Sequence, residues 1–235
     1  MFDENTRGTQ CTTNSFVFLL QNAISKIENT SEMDTPLKQG DQLHSAFNTF
    51  LGRAKADKLG LDEIQGPIKS ILGEDENQCQ FGSVHCGDIL ADVAQLPFIT
   101  LEKALNHSKA ATGALLRVAD YTTAVQVNKD CSVQVYDPHA RDESGFVSGS
   151  GTSVVIDFKD QNSFCSYLRR FISSTGTGQT TCHSKKTSSD SYAWRSFELM
   201  PLFVTSNNCL PTLLQKIDMS APPENPSSSS KTESR

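Results

Sequence analysis

Hydrophobic residues repeat with a helical period near the start of the chain, directly after Cys11. They fall at i, i+3, i+4, i+7, i+8 and i+11, the spacing of one buried helical face: Phe16, Leu19, Leu20, Ala23, Ile24 and Ile27. This pattern predicts a helix that begins at Cys11, with Thr12 and Thr13 as capping residues. The polar residues 1–10, rich in Asn, Thr and Gly, are predicted to form a loop.

Further helices are predicted in the middle of the chain. After a break at residues 28–36, a second apolar face indicates a helix that ends near Gly52 or Gly60: Leu43, Phe47, Phe50 and Leu51. Residues 64–72 form another amphipathic segment, which an acidic, irregular stretch follows at 73–77. Residues 89–98 and 101–105 are also helix candidates, the first of which Pro97 stops.

The pattern changes to short alternation after Gly113, where β-branched residues become frequent. Residues 132–136 alternate strictly, with Val133 and Val135 on one face and Gln134 and Tyr136 on the other. Strands are also predicted at 154–158 and 197–204, a hairpin turn at 128–130, a short helix around 164–171 and a loop at 173–191. Helices followed by strands predict an α+β fold.

The composition is that of a globular domain, with 235 residues, 37% of them hydrophobic and 20% charged. The end of the chain is too rich in Pro and Ser to pack. We therefore predict one domain over residues 1–215 and a disordered tail over 216–235.

Charge and hydropathy exclude two classes of partner. The net charge is −6 and basic runs are no longer than Arg169-Arg170 or Lys185-Lys186, which disfavours nucleic acid. No stretch approaches the roughly 18 apolar residues of a membrane helix, and the N-terminus lacks the apolar centre of a signal peptide. We expect an intracellular protein, cytoplasmic, nuclear or both, whose seven irregularly spaced cysteines are reduced thiols.

Cys11 is a candidate nucleophile because it lies at the entrance of the first predicted helix. The helix dipole and the free N–H groups of the first turn stabilise a thiolate and lower its pKa from about 8.5. Cysteine is also a common small core residue, so its position needs a partner base.

The sequence Asp137-Pro138-His139 supplies such a base at the end of the predicted strand 132–136. Pro138 biases Asp137 toward an extended conformation, in which residues two apart point the same way. His139 would deprotonate Cys11 while Asp137 fixes the imidazole tautomer. An Asp-x-His sequence in a loop is more often simply solvated, and the spacing alone is a weak signal.

The other candidate groups compete poorly with this pair. His44 lies on a predicted helix, His107 at a helix end and His183 in a loop. Cys79, His85 and Cys86 lack the paired spacing of a structural zinc site, so we predict no metal site. Residues 149–151 lack the remaining glycines of a dinucleotide-binding loop.

Five sequence blocks occur in an order that resembles a known family. They are 7–11 (RGTQC) with Asn14-Ser15, 37–43 (LKQGDQL) with a Gly-Asp pair ahead of a helix, 119–124 (ADYTTA), 136–145 around Asp137 and His139, and 151–158 (GTSVVIDF). Over about residues 6 to 172, the chain is similar to the herpesvirus tegument deubiquitinases and their non-viral relatives, which are papain-like cysteine peptidases.

The resemblance implies a papain-like fold, in which a helical lobe carries the cysteine helix and packs on a mostly antiparallel sheet. It implies Cys11 as nucleophile, His139 as base and Asp137 as the orienting acid. The implied substrate is a ubiquitin tail in a narrow cleft, and the partner is ubiquitin or polyubiquitin. We expect a monomer that needs no cofactor.

The family also carries an oxyanion-stabilising Gln well upstream of its nucleophile. A chain that begins at Met1 has no room for that position, so we expect the oxyanion hole to use the backbone N–H of Cys11, with Gln10 as an assisting side chain. Loss of one such donor typically costs about 10²- to 10³-fold in rate, which predicts a slowed enzyme.

Two alternatives stay open at the level of the sequence. One is a binding module that holds ubiquitin or another partner with little turnover. The other is a cysteine protease for another ubiquitin-like modifier, or a protease or transferase for some other Gly-ended or ester-linked substrate. Acidic residues that could meet arginines of the tag's tail are Asp88, Asp120, Asp142 and Glu143, and the sequence does not choose among them.

Overall fold

The computed structural model describes residues 9–27, 30–89, 100–118, 121–141, 152–175 and 196–220. Within these ranges the chain forms a seven-stranded antiparallel sheet with helices packed against both of its faces. The α+β class predicted from the sequence is therefore confirmed.

The sheet has the strand order β1-β7-β3-β4-β5-β6, and β2 pairs with β7 beside β1. Its strands are β1 (Cys79–Phe81), β2 (His85–Asp88), β3 (Gly113–Val118), β4 (Tyr121–Val127), β5 (Val133–Arg141), β6 (Thr152–Phe158) and β7 (Ser196–Val204). The hairpin between β4 and β5 turns at residues 128–131, which include the predicted 128–130, and Cys131 there adopts a positive φ of 71°.

Six α-helices accompany the described strands: α1 (Cys11–Ile24), α2 (Asp34–Phe50), α3 (Gln65–Leu72), α4 (Leu101–His107), α5 (Gln161–Thr175) and α6 (Cys209–Ser220). Short 3-10 helices precede α2 and follow α3 and α4. No helix in the described part of the chain is long and apolar enough to cross a membrane.

Alternate residues of each central strand enter two separate cores. Val133 and Val135 of β5 pack with α4 and α5 on one face, whereas Tyr136 packs with α1 and α2 on the other. The faces predicted for residues 132–136 are correct, because side chains of a strand alternate. Both faces are covered, which is why all four residues from Val133 to Tyr136 are buried.

Helix α1 is fixed over the central strands by two contacts along its length. The ring of Phe18 stacks on Tyr136 of β5, with centroids 4.3 Å apart. Near the end of the helix, Asn22 Nδ2 donates to Gln126 Oε1 at 2.6 Å, and Asn22 Oδ1 accepts from the backbone N–H of Ile27 at 2.8 Å. These contacts set where the N-terminus of α1 meets the sheet.

Several local predictions need correction. Thr12 and Thr13 do not cap α1: Gln10 is the N-cap residue, and its side chain makes no capping hydrogen bond. Gly40 lies inside α2 rather than ahead of a helix, and it packs directly against Asn14 of α1.

Three elements were not predicted from the sequence: β1, β2 and α6. Helix α6 ends at Ser220, so residues 216–220, which the prediction assigned to the tail, are helical. Most of the predicted helix at 89–98, most of the loop at 173–191 and the segment 221–235 lie outside the described residues.

Candidate active site

Cys11 is the first residue of α1 and is 7% exposed. The Gln10 carbonyl accepts the first helical hydrogen bond from Asn14 N at 2.9 Å, and also a bond from Thr13 Oγ1 at 3.0 Å. The first N–H groups of a helix have no partner within the helix, so this end carries a partial positive charge. The Cys11 thiol therefore lies where a negative charge is stabilised.

Asp137 and His139 lie two residues apart on β5, beside Pro138. Asp137 Oδ1 accepts from His139 Nδ1 at 2.6 Å and from the His139 backbone N–H at 3.0 Å. The pairing of β5 with β6 is irregular between Asp137 and Arg141, where β5 has extra residues relative to its partner. Such a bulge re-aims side chains, and His139 lies within it.

The third contact joins the two elements, because the His139 side chain is hydrogen-bonded to Cys11. Since Nδ1 is occupied by Asp137, Nε2 is the ring nitrogen available to the thiol. The structure thus brings Cys11, His139 and Asp137 into one hydrogen-bonded chain. Asp137 is 4% exposed, and the His139 side chain is 13% exposed.

These contacts change the ionisation of both partners. Burial opposes ionisation of the Cys11 thiol, but the hydrogen bond and charge of His139, together with hydrogen bonds from Thr122, outweigh it and lower the pKa of Cys11. Burial likewise opposes protonation of His139, yet its bonds to Asp137 and Cys11 raise the pKa of His139 to about 9. Both directions favour a thiolate paired with an imidazolium over the neutral pair of thiol and imidazole.

The sequence prediction missed two residues that contact the hydrogen-bonded chain of Cys11, His139 and Asp137. The ring of Tyr121 meets the imidazole of His139 edge-on, with centroids 4.9 Å apart and planes at 74°. Thr122 is hydrogen-bonded to Cys11 through both its backbone and its side chain. The block 119–124 resembled a sheet segment of the family, but no spacing in it indicated contact with a cysteine more than 100 residues away.

The remaining predicted residues lie elsewhere or stay undecided. Gln10 is buried directly before Cys11, and its role in an oxyanion hole stays a prediction.

The other histidines of the described residues lie away from Cys11. His44 contacts the Asp57 carbonyl at 2.9 Å, and burial lowers the pKa of His44. His107 packs against His85, with ring centroids 5.1 Å apart. Asp88 ends β2, whereas Asp120, Asp142, Glu143 and His183 lie outside the described residues.

The two cysteines considered as zinc ligands, Cys79 and Cys86, lie on different strands. Cys79 is buried in β1, where its thiol contacts Cys209 at the start of α6, while Cys86 is exposed on β2. Across the described ranges, no group of three or more His, Cys, Asp or Glu residues is placed to hold a metal ion.

Comparison with known proteins assigns the chain to a described family. A search of curated protein sequences finds no match to the chain. Residues 2–188, well over half of the chain, match the family described as herpesvirus tegument protein, N-terminal conserved region. The matched segment contains Cys11, Asp137 and His139. The chain therefore belongs to the herpesvirus tegument protein family, in its N-terminal conserved region.

Proposed function

We propose that this chain is a cysteine-type deubiquitinase of papain-like fold, with Cys11 as nucleophile, His139 as base and Asp137 as the orienting acid. The observation that carries the proposal is the hydrogen-bonded chain from a buried helix N-terminus through an imidazole to a buried carboxylate. Nucleophile, base and orienting group in this order are the arrangement that activates cysteine and serine nucleophiles. Family membership and the resemblance to tegument deubiquitinases support ubiquitin as the tag.

In the first half of the reaction, the Cys11 thiolate attacks the carbonyl carbon of the tag's C-terminal glycine. The carbonyl π electrons move to oxygen and give a tetrahedral oxyanion. The intermediate collapses as the C–N bond breaks, and the leaving amine takes the proton that His139 carries on Nε2. The product is a thioester between Cys11 and the tag, with His139 neutral.

In the second half, His139 Nε2 removes a proton from water while the water oxygen attacks the thioester carbonyl. The second tetrahedral intermediate expels the Cys11 thiolate and releases the tag with a free carboxyl group. His139 keeps the proton, so the ion pair of the resting enzyme is restored. No cofactor takes part in this sequence.

Stabilisation of the oxyanion comes from the N-terminus of α1. The backbone N–H of Cys11 belongs to the first turn, where N–H groups have no partner within the helix. We propose the buried Gln10 as the assisting side chain. One oxyanion donor typically contributes about 10²- to 10³-fold in rate.

The directions of the pKa shifts predict the pH range of turnover. As the pH falls through the lowered pKa of Cys11, the thiolate gains a proton and attack stops. As the pH rises through about 9, His139 loses the proton that the leaving amine needs. Turnover is therefore expected to be bell-shaped with pH, with its plateau between these two values. The need for a reduced thiol fits an intracellular compartment.

The test is reaction with a ubiquitin probe that carries an electrophile at its C-terminus. We expect a covalent adduct with the parent chain and none with Cys11→Ala or His139→Ala. The matched controls are Cys86→Ala, which removes an exposed thiol on β2, and His107→Ala, which removes a histidine outside the Cys11–His139–Asp137 chain. Both controls should form the adduct at the parent rate.

Other outcomes separate the alternatives. If the folded parent forms no adduct but Cys11→Ala still binds ubiquitin, the domain is a ubiquitin-binding module. If the parent reacts with a probe made from a different ubiquitin-like modifier and ignores ubiquitin, it is a cysteine protease for that modifier. An adduct that survives Cys11→Ala would refute the assignment of the nucleophile.

A further inference from the structure

Thr122 of β4 is 2% exposed and contacts the first turns of α1 at several points. Its carbonyl accepts from Ser15 Oγ at 3.2 Å, and its Oγ1 lies 3.2 Å from Thr12 Oγ1. Its backbone N–H and its hydroxyl are both hydrogen-bonded to the Cys11 thiol. One residue of the sheet thus contacts the nucleophile and two polar residues of α1 that follow it, Thr12 and Ser15.

Thr122 pairs with Arg117 of β3, but its edge toward β5 is open to α1 because β4 and β5 part beside it. The two strands pair from Val127↔Val133 to Ala124↔Tyr136. Two residues further in the same register, Thr122 faces Pro138, which has no N–H to donate. Ser15 Oγ donates to the Thr122 carbonyl instead, and the Thr122 N–H is hydrogen-bonded to Cys11.

A count of protons shows what the Thr122 hydroxyl can do. A hydroxyl has one proton and two acceptor lone pairs. Thr12 Oγ1 is 2.7 Å from the Leu59 carbonyl, which can only accept, so the Thr12 proton is committed there. The contact between Thr12 and Thr122 then requires the Thr122 hydroxyl as donor. That hydroxyl therefore has one proton and two possible acceptors, Thr12 Oγ1 and Cys11 Sγ.

We infer that Thr122 is a thiolate-stabilising residue, which donates its backbone N–H to Cys11 Sγ and turns its hydroxyl from Thr12 to Cys11 when Cys11 is ionised. With a neutral thiol, the Thr122 O–H points at Thr12 Oγ1 and its lone pair faces the S–H. With a thiolate, the same O–H rotates and donates to the sulfur. The role rests on the proposed function of Cys11 as nucleophile.

The two threonines therefore act on Cys11 in opposite directions. Thr122 supplies a donor to the thiolate, whereas Thr12 supplies the acceptor that competes for that donor when the thiol is neutral. Removal of the Thr122 hydroxyl disfavours the thiolate, and removal of the Thr12 hydroxyl disfavours the neutral thiol. Among the described residues, His139 is the charged group that faces Cys11, with Asp137 behind it, and the first turn of α1 has no acidic residue.

The experiment measures alkylation of Cys11 by iodoacetamide as a function of pH, by mass spectrometry of the Cys11 peptide. A hydrogen bond to a charged group corresponds to about one pKa unit or somewhat more. The midpoint of the alkylation profile reports the pKa of Cys11. For Thr122→Val we expect this midpoint to rise by about one pH unit, with about tenfold slower alkylation at pH values below it. Thr12→Val should lower the midpoint, and Thr122→Ser should keep that of the parent.

The matched control is Thr123→Val, which removes the neighbouring hydroxyl, whose contact is the Leu116 carbonyl at 3.4 Å. It should leave the midpoint unchanged. A Thr122→Val profile that superimposes on the parent's would overturn the inference. Should Thr122→Val fail to fold, as judged by its thermal melting, Thr12→Val decides: an unchanged or raised midpoint rejects the inference.

The same measurement separates this inference from the proposed function, since iodoacetamide needs no ubiquitin. A low midpoint that His139→Ala abolishes but Thr122→Val leaves unchanged would remove the role of Thr122 alone. A parent midpoint at the ordinary thiol pKa, about 8.5, that ignores His139→Ala would remove both proposals.

Discussion

Replacement of Asp137 by Asn tests the ion pair of the site without changing its shape. An Asn side chain has nearly the same size, and its amide oxygen can still accept from His139 Nδ1, whose present distance to Asp137 Oδ1 is 2.6 Å. What the substitution removes is the negative charge beside the imidazolium. The Asp137 site is buried, so water cannot replace that charge.

The expected size of the effect follows from the strength of the lost interaction. Hydrogen bonds to charged groups contribute about 1.5–3 kcal/mol, and about 1.36 kcal/mol corresponds to one pKa unit. The pKa of His139, about 9 in the parent, should therefore fall by about one to two units. Because a less stable imidazolium is a weaker partner for the thiolate, the pKa of Cys11 should rise at the same time.

The assay is a pH titration of the histidine ring signals by NMR. His139 should titrate well above the ordinary value of 6.5, whereas burial lowers the pKa of His44 and of His85. The parent signal is assigned by its loss in His139→Gln. In Asp137→Asn this signal should titrate at a lower pH. The bell-shaped pH profile of turnover should become narrower on both its acidic and its alkaline side.

The matched control is Asp157→Asn, which removes a carboxylate from β6 whose contact is Gln134 Nε2 at 3.1 Å. It should leave the His139 titration where it is. An unchanged His139 pKa in Asp137→Asn would show that the carboxylate does not hold the proton on the imidazole. The interpretation of Cys11 and His139 as an ion pair would then be wrong.

Two further predictions concern the frame around the site and are checked by urea denaturation. An alanine Cβ at Gly40 would lie 2.7 Å from Asn14 Cα and closer still to the Asn14 side chain. Gly40→Ala should therefore destabilise the protein by about 1–3 kcal/mol. The control Gly66→Ala, whose Cβ would have nothing within 4 Å, should not destabilise it. Phe164→Ala empties a fully buried position where α5 packs on β6 and should lower the free energy of unfolding by about 3–5 kcal/mol. Phe50 is 52% exposed, so Phe50→Ala should lower it by about 0.5 kcal/mol or less.

The parts of the fold that the sequence predicts are those with a local period. The apolar repeat after Cys11 places that residue at the start of α1, and the alternation at 132–136 assigns each residue to the correct face. Asp137 and His139 are near in the sequence, so their contact also follows from local geometry. In each case the interacting residues lie within a few positions of one another.

The parts that the sequence does not predict depend on contacts between distant segments. β1 and β2 have three and four residues and form only because β7 offers them an edge. The resemblance of residues 37–43 to a family block predicts Gly40 ahead of a helix, and glycine weakens helix interiors. Inside α2 it is required because Asn14 of α1 comes so close. Neither the two short strands nor the close packing of Gly40 can be predicted from the local sequence pattern.

Pro138 explains why the nucleophile and the base meet at this point of the sheet. It has no N–H, so β5 cannot continue its ladder to the Thr122 carbonyl, and β4 and β5 part after Ala124↔Tyr136. Helix α1 enters at this point, with Ser15 bonded to the Thr122 carbonyl and Cys11 at the Thr122 N–H. Pro138 also biases Asp137 toward the extended conformation that directs its carboxylate to His139. The Asp-Pro-His sequence therefore both carries the acid and the base and opens the sheet where the cysteine enters.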